Sequence, residues 1–416
     1  RLAPLPGSEN NNKPGVKLPA SSGGIAILEC VIRQTGAYAK SRPGRLSVFW
    51  GDQIFVPSVA AEYTPRHHVD IACALGPMPD AEEWARRGNQ NYGLIAASSD
   101  NSVVAMLEKV THAEATSQLA GKASVDRVGT SLGSFSLSAP FLSALEASFS
   151  KELASKAGKM DTDPHVWMPM TLSADAYASL AVKKGLFDYK GACAHHRRVA
   201  DIIAGFQSDL CPGGMFGAVN VGLDMSWWDF GLLKLYRKNA LLLTESTQDA
   251  DLARRFFNIA EEKRIASDCS LGECQVDTAS VVSATRATCG SVASSTVADV
   301  FTEELRAEDA VLMNVYARRV VAAKGAVAYN IVDSSPSGVV LDENEVRVGV
   351  FTLDSKGYFE MRSNVLETDG GKVFKDRVHG NAMSFQEVYD LNHGTDVRAC
   401  AQAAVKRRQS FKRWLA

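Results

Sequence analysis

The chain predicts an α/β domain on a mixed, mainly parallel sheet with flanking helices, followed by a left-handed parallel β-helix. Up to about Thr244, short apolar runs alternate with amphipathic stretches, the pattern of strands and helices around one sheet. Beyond residue 263 the texture changes to Ser, Thr, Ala and Val, with aliphatic residues six apart. At 416 residues the chain also exceeds one compact core. The divisions expected are 1–245 for the α/β domain, 246–264 for a helical linker, 265–365 for the β-helix and 366–416 for a loop and basic helix.

The first twenty residues, RLAPLPGSENNNKPGVKLPA, hold Lys13 and Lys17 among Pro14, Gly15 and Pro19, which excludes an ordinary helix. In LSVFWGDQIF a buried strand runs into Gly51 and Asp52. A carboxylate there suits a divalent cation on phosphates, or it is a turn aspartate. The run NYGLIAASSDNSVVAMLEKV reads as a hairpin turning at Ser99, Asp100 and Asn101 and ending in Glu108 and Lys109. Adjacent residues of a regular strand point to opposite faces, so these two are a surface ion pair unless the strand breaks there. PFLSALEASFSKELASK reads as a helix. In SWWDFGLLKLYRKN, Asp229 stands before Gly231 and an amphipathic helix, either as an N-cap or as a metal ligand facing Asp52. Trp227 and Trp228 read as core or cleft wall.

In the C-terminal half Ile265 and Leu271, Val276 and Val282, Leu305 and Val311, then Val315, Val321 and Val327 are each six apart. A hexad places one aliphatic side chain per rung in a common interior column. The last helix carries Lys406, Arg407, Arg408, Lys412 and Arg413, read as a solvated terminal helix or subunit contact. Nucleic acid is not expected as a partner, because 45 basic against 47 acidic residues leave a formal charge of −2. The eight cysteines include no CxxC pair, so neither a zinc site nor a disulfide scaffold is indicated, and a reducing intracellular compartment, cytoplasm or plastid stroma, is expected. No apolar run approaches the roughly 20 residues that span a bilayer.

Taken in order, RLAPL with KPGVKLP, GGIAILECVI, GDQIF, YGLI with VVAMLEK, LGSFSLSAPFLSAL and WWDFGLLKLYRKN resemble the sugar-nucleotide pyrophosphorylases. These are sugar-1-phosphate nucleotidyltransferases with a Rossmann-like catalytic domain, and several of them carry a left-handed β-helix. The resemblance implies a nucleoside triphosphate and a sugar 1-phosphate as substrates, uridine with glucose being the first expectation, Mg²⁺ as cofactor, and a homo-oligomer assembled through the β-helix. It implies that Arg1 and Lys13, or alternately Lys17, neutralise the pyrophosphate and α-phosphate. Gly23 and Gly24 would admit the base. Asp52 would serve the nucleotide and, with Asp229, hold Mg²⁺. Gly93, Glu108 and Lys109 would bind the sugar phosphate. The family's glycine-rich loop would stand before Arg1, and two β-α elements are expected to be missing near Ser21 to Gly23. A non-catalytic scaffold or regulatory subunit is the alternative. A β-helix acyltransferase is disfavoured, because no histidine lies between Ile265 and Val350 to act as base.

Overall fold

A computed structural model describes residues 44–48, 52–59, 66–122, 124–155, 162–206, 211–259, 264–353, 357–367, 373–393 and 395–415. The described chain divides into two compact units at Trp227/Trp228.

The strands of the first unit are β1 (Arg45–Val48), β2 (Gln53–Val56), β3 (His67–Gly76), β4 (Gly93–Ala97), β5 (Val103–Glu108), β6 (Arg127–Ser138) and β7 (Gly214–Asn220). Its helices are α1 (Ala81–Arg87), α2 (His112–Leu119), α3 (Ala139–Ser148), α4 (Ser150–Ser155), α5 (Met168–Thr171), α6 (Ala174–Lys183) and α7 (Tyr189–Ala204). The sheet runs β5-β4-β6-β3-β7, with β1 also on β6. The expectation of a mainly parallel sheet fails here. Among the described residues only β3 with β7 is parallel, whereas β1, β3 and β4 on β6, and β5 on β4, are antiparallel. For the β4–β5 pair, connection length is the reason. A parallel neighbour needs a crossover of a dozen residues or more, which the long segment between β3 and β7 supplies and the turn between β4 and β5 does not.

That turn forms as the sequence suggests. Ser98 N donates to Ser102 O at 2.9 Å, and Asn101 takes φ 70°. Asp100 accepts from the Ser98 hydroxyl at 2.6 Å and the Ser102 amide at 3.1 Å, and these bonds hold its pKa down at about 2. The long helix expected over PFLSALEASFSKELASK is two, α3 and α4, separated at Phe149. Phe149 is fully buried with Phe141, Leu142 and Leu145 in the unit's core.

His195 of α7 is buried and stacks on Phe187 at 5.1 Å. Its Nε2 donates to the His165 carbonyl at 2.7 Å, while Arg198 Nη2 donates to Nδ1 at 3.2 Å. Both ring nitrogens are thus used by the neutral tautomer, and burial pushes the pKa down to about 4.

Strand β8 (Ser226–Asp229) leads into the second unit, which begins with α8 (Leu233–Leu241) and α9 (Gln248–Phe256). A β-solenoid follows: β9 (Glu273–Val276), β10 (Val281–Ser283), β11 (Cys289–Ala293), β12 (Thr296–Phe301), β13 (Glu304–Glu308), β14 (Val311–Ala317), β15 (Arg319–Ala322), β16 (Val327–Asp333), β17 (Val339–Leu341), β18 (Glu345–Phe351) and β19 (Tyr358–Asn364). Even-numbered strands from β10 to β18 stack in parallel on one face and odd-numbered strands from β9 to β17 on another. The register steps Val281 to Thr296 to Val311, fifteen residues per coil, then Val327 and Val346 as the turns lengthen.

The interior period is five, not the expected six. Val282, Ala287, Val292, Val297, Thr302, Ala307, Leu312, Ala317 and Ala322 are all buried, and three such sides make one fifteen-residue coil. The hexad pairs mixed inside with outside. Val282, Leu305 and Val315 do point into the coil, but Ile265 is 42% exposed, and Val311 and Val327 pack outside against Leu233 and Leu241 of α8. This packing, with the Thr296 hydroxyl donating to the Ala240 carbonyl at 2.8 Å, puts α8 in the solenoid unit. The unit boundary therefore falls ahead of residue 245.

Corners recur with the coils. Ala284, Asp299, Asn314 and Asn330 all have φ between 48° and 59°, a left-handed conformation that Asn and Asp tolerate best. Gly290 has φ 131°, and a Cβ there would lie 1.8 Å from the Leu305 carbonyl oxygen of the next coil. Antiparallel β19 ends the stack on β18, covering an edge that would otherwise recruit another strand.

Helices α10 (Phe385–His393) and α11 (Val397–Leu415) complete the unit. The basic cluster is not simply solvated. Arg407 lies over Tyr358 at 4.4 Å, Arg408 over Tyr316 at 6.0 Å and Lys412 over Phe301 at 5.5 Å. Arg408 Nη1 donates to Asn314 Oδ1 at 3.0 Å. Each contact offsets a cation's desolvation with a ring face or a carbonyl.

Two outcomes follow. Because the pKa of His195 is lower folded than unfolded, its stabilising effect is whole above about pH 6.5 and disappears as pH falls to about 4, about 3 kcal/mol in all; urea titrations at pH 7.5, 5.5 and 4 measure it, and His195→Gln flattens the dependence. Gly290→Ala destabilises the solenoid by ~3 kcal/mol, whereas Ala284→Gly is neutral or raises Tm, as calorimetry can determine.

Candidate functional site

Arg1, Lys13, Lys17, Gly23 and Gly24 lie outside the described residues. Four of the remaining five fall in the first unit, and three of them meet. Gly93 opens β4, Glu108 closes β5, and the two are direct cross-strand partners. A Cβ on Gly93 would stand 2.5 Å from Met106 Cε and 3.0 Å from Glu108 Oε2, so the missing side chain is what lets the carboxylate lie across the strand. Lys109 takes φ 50° and its amide donates to the Tyr92 carbonyl at 3.1 Å. The strand therefore breaks at the residue where a break is required for both charges to serve one place. Lys109 Nζ is 3.4 Å from Glu108 Oε1, with the glutamate side chain 13% exposed and the lysine 61%.

Around this turn are residues that motif reading missed. Tyr92 packs its ring on Trp227 at 4.6 Å. Lys184, just past α6, donates from Nζ to the Lys109 carbonyl at 3.3 Å. Burial pushes the Lys184 pKa down, with Glu108 opposing and Lys109 and Lys183 adding to the shift. Nothing in the spacing of Lys184 signals this, since the contact spans 75 positions.

Asp52 immediately precedes β2, and both its carboxylate oxygens are shielded from solvent. The segment after β2 is fastened beyond the end of β7 by Ser58 N donating to Val221 O at 2.9 Å. Asp229 belongs to the second unit. It is not an N-cap. Leu232 holds that position in α8, and Asp229 Oδ1 instead accepts from Gly231 N at 2.7 Å, with its carbonyl accepting from Asn239 Nδ2 at 2.7 Å. Trp228 is core, its indole donating to Asp249 at 3.1 Å. Among the described residues no three His, Cys, Asp or Glu side chains converge as a metal cluster. A Mg²⁺ ion completed by phosphate and water oxygens needs only one or two carboxylates.

A second polar group lies at the start of β3. His67 Nδ1 is 2.9 Å from Asp70 Oδ1, and its Nε2 is 3.3 Å from Ser102 Oγ. The order hydroxyl, imidazole, carboxylate is that of a nucleophilic relay. Here Asp70 Oδ2 is paired with Arg45 at 3.0 Å, Arg45 also donates to the His67 carbonyl, and the Ser102 amide is committed to Asp100. The carboxylate's charge is already neutralised by Arg45, and the group ties β1, β3 and the β4–β5 turn together.

The seven described cysteines are free thiols, and no described helix is long and apolar enough to cross a membrane. No known family profile and no curated protein matches the chain.

Gly93→Ala must displace Met106 or Glu108; a loss of about 1–2 kcal/mol is expected, measurable as a fall in Tm, while Lys190→Ala at an exposed position leaves Tm unchanged.

Proposed function

We propose that the protein is a sugar-1-phosphate nucleotidyltransferase, forming a nucleoside diphosphate sugar and pyrophosphate, of the uridine and glucose type. The observation that carries the reading is the meeting of Gly93, Glu108 and Lys109 at one strand break, since the family resemblance assigns those three residues a single task. A left-handed winding of the solenoid and assembly through it into a homo-oligomer belong to the same reading. So does a reducing compartment.

In the reaction a phosphate oxygen of the sugar 1-phosphate attacks the α-phosphorus in line, and the bond to the bridging oxygen breaks as pyrophosphate leaves. The attacking oxygen is already anionic at neutral pH, so no residue has to remove its proton. The protein's part is alignment and charge neutralisation. Lys109 pairs with the sugar phosphate. Glu108, which lies over Gly93, accepts from a sugar hydroxyl. Tyr92 and Trp227 offer the sugar an apolar wall. Arg1 with Lys13 or Lys17 at the triphosphate, and Gly23 and Gly24 at the base, rest on the resemblance alone. The assignment of Mg²⁺ to Asp52 and Asp229 likewise rests on the resemblance alone; carboxylates suit the ion's hard oxygen preference, and the ion would neutralise phosphate charge.

Incubation of the full chain with Mg²⁺, a nucleoside triphosphate and a sugar 1-phosphate should release pyrophosphate, detected by a coupled phosphatase assay. Lys109→Met should raise KM for the sugar phosphate about tenfold or more with a smaller change in KM for the triphosphate. Asp52→Asn should abolish Mg²⁺-dependent turnover with the circular dichroism spectrum unchanged, and near-normal turnover would remove Asp52 from the site. No turnover with any pair leaves the scaffold alternative.

A further inference from the structure

Lys184 is placed for more than a structural contact. Its amide donates to Leu180 O at 3.0 Å, which fixes it at the C-terminal end of α6, where the helix dipole favours a cation. Its ammonium spends one of three donors on the Lys109 carbonyl at 3.3 Å. Lys183, the neighbouring cation, is engaged elsewhere by Glu114. Among the described residues, this turn gathers two ammonium groups, Lys109 and Lys184, and the Glu108 carboxylate. Among these groups the cations outnumber the carboxylate, and burial disfavours the charge of Lys184. An arriving anion relieves this. A phosphate monoester, with up to two charges and three terminal oxygens, can take donors from both ammonium groups at once, which a lone carboxylate does less well.

We propose that Lys184 and Lys109 together seat the phosphate group of a phosphorylated sugar, with Glu108 reading an adjacent hydroxyl. The inference rests on the reading of Gly93, Glu108 and Lys109 as the sugar-phosphate site and adds a second cation to it. Lys184 also positions: its bond to the Lys109 carbonyl holds the left-handed residue that brings Glu108 and Lys109 to one side.

The test is a thermal-shift titration of the full chain with inorganic phosphate, a sugar 1-phosphate and the unphosphorylated sugar. Both phosphates should raise Tm and the free sugar should not. Lys184→Gln keeps a donor for the Lys109 carbonyl and drops the charge. It should weaken the apparent Kd for both phosphates about tenfold or more without lowering the Tm of the ligand-free protein, because it removes ammonium repulsion. Lys184→Arg should retain most of the affinity, and Lys190→Met, an exposed cation of α7, should retain all of it. If Lys184→Gln binds both phosphates as the wild type does while Lys109→Met does not, the role of Lys184 is overturned and the parent site stands. If the wild type responds to neither phosphate, both fall. A Lys184→Gln protein whose ligand-free Tm drops and whose affinity is unchanged marks Lys184 as purely structural and likewise overturns the proposal.

Discussion

A buried amide or carbonyl left without a partner costs as much as a lost hydrogen bond, and the two units meet that constraint in different ways. In the first, the twelve-residue strand β6 serves β4 along its first part, β1 along its last, and β3 along most of its length. Strand β3 can then be buried almost throughout, because both of its edges are occupied, by β6 and β7. In the second, each interior coil pairs with the coil before and after it, so the chain needs only short sides and repeated corners.

The functional proposal grows out of the same backbone accounting. A regular strand would send Glu108 and Lys109 to opposite faces. One residue in the left-handed region, secured by bonds to Tyr92 and from Lys184, ends the ladder and leaves the two charges side by side. The side chain absent at Gly93 then becomes the floor on which the carboxylate lies. Three features that look ordinary separately, a glycine in a strand, an acid next to a base and a lysine after a helix, acquire a joint meaning only at this turn.

The solenoid shows how a periodic signal can be real and still be misread. Val282, Leu305 and Val315 do line the interior, and they sit on columns with a five-residue step. Six-residue spacings such as Leu305 to Val311 join an inward position to an outward one that happens to be apolar, because α8 covers that outer face. The basic residues of α11 are the counterpart: a charge run that reads as solvated lies partly on the aromatic rings of Phe301, Tyr316 and Tyr358.

Local chemistry was legible from the sequence by itself. It determined that strands and helices alternate before residue 245, that Ser99 to Asn101 make a hairpin turn, that small and β-branched residues stack as a solenoid, and that Glu108 and Lys109 need a broken strand to act together. These are consequences of side-chain period and turn chemistry, which act within a few residues. Only the tertiary structure decided that the first sheet is mostly antiparallel among the described strands, that α8 belongs to the solenoid, that the coil has five-residue sides, and that Lys184 stands beside Lys109. Each of these depends on which distant backbone edge or apolar face is available for pairing, and no local pattern encodes that choice.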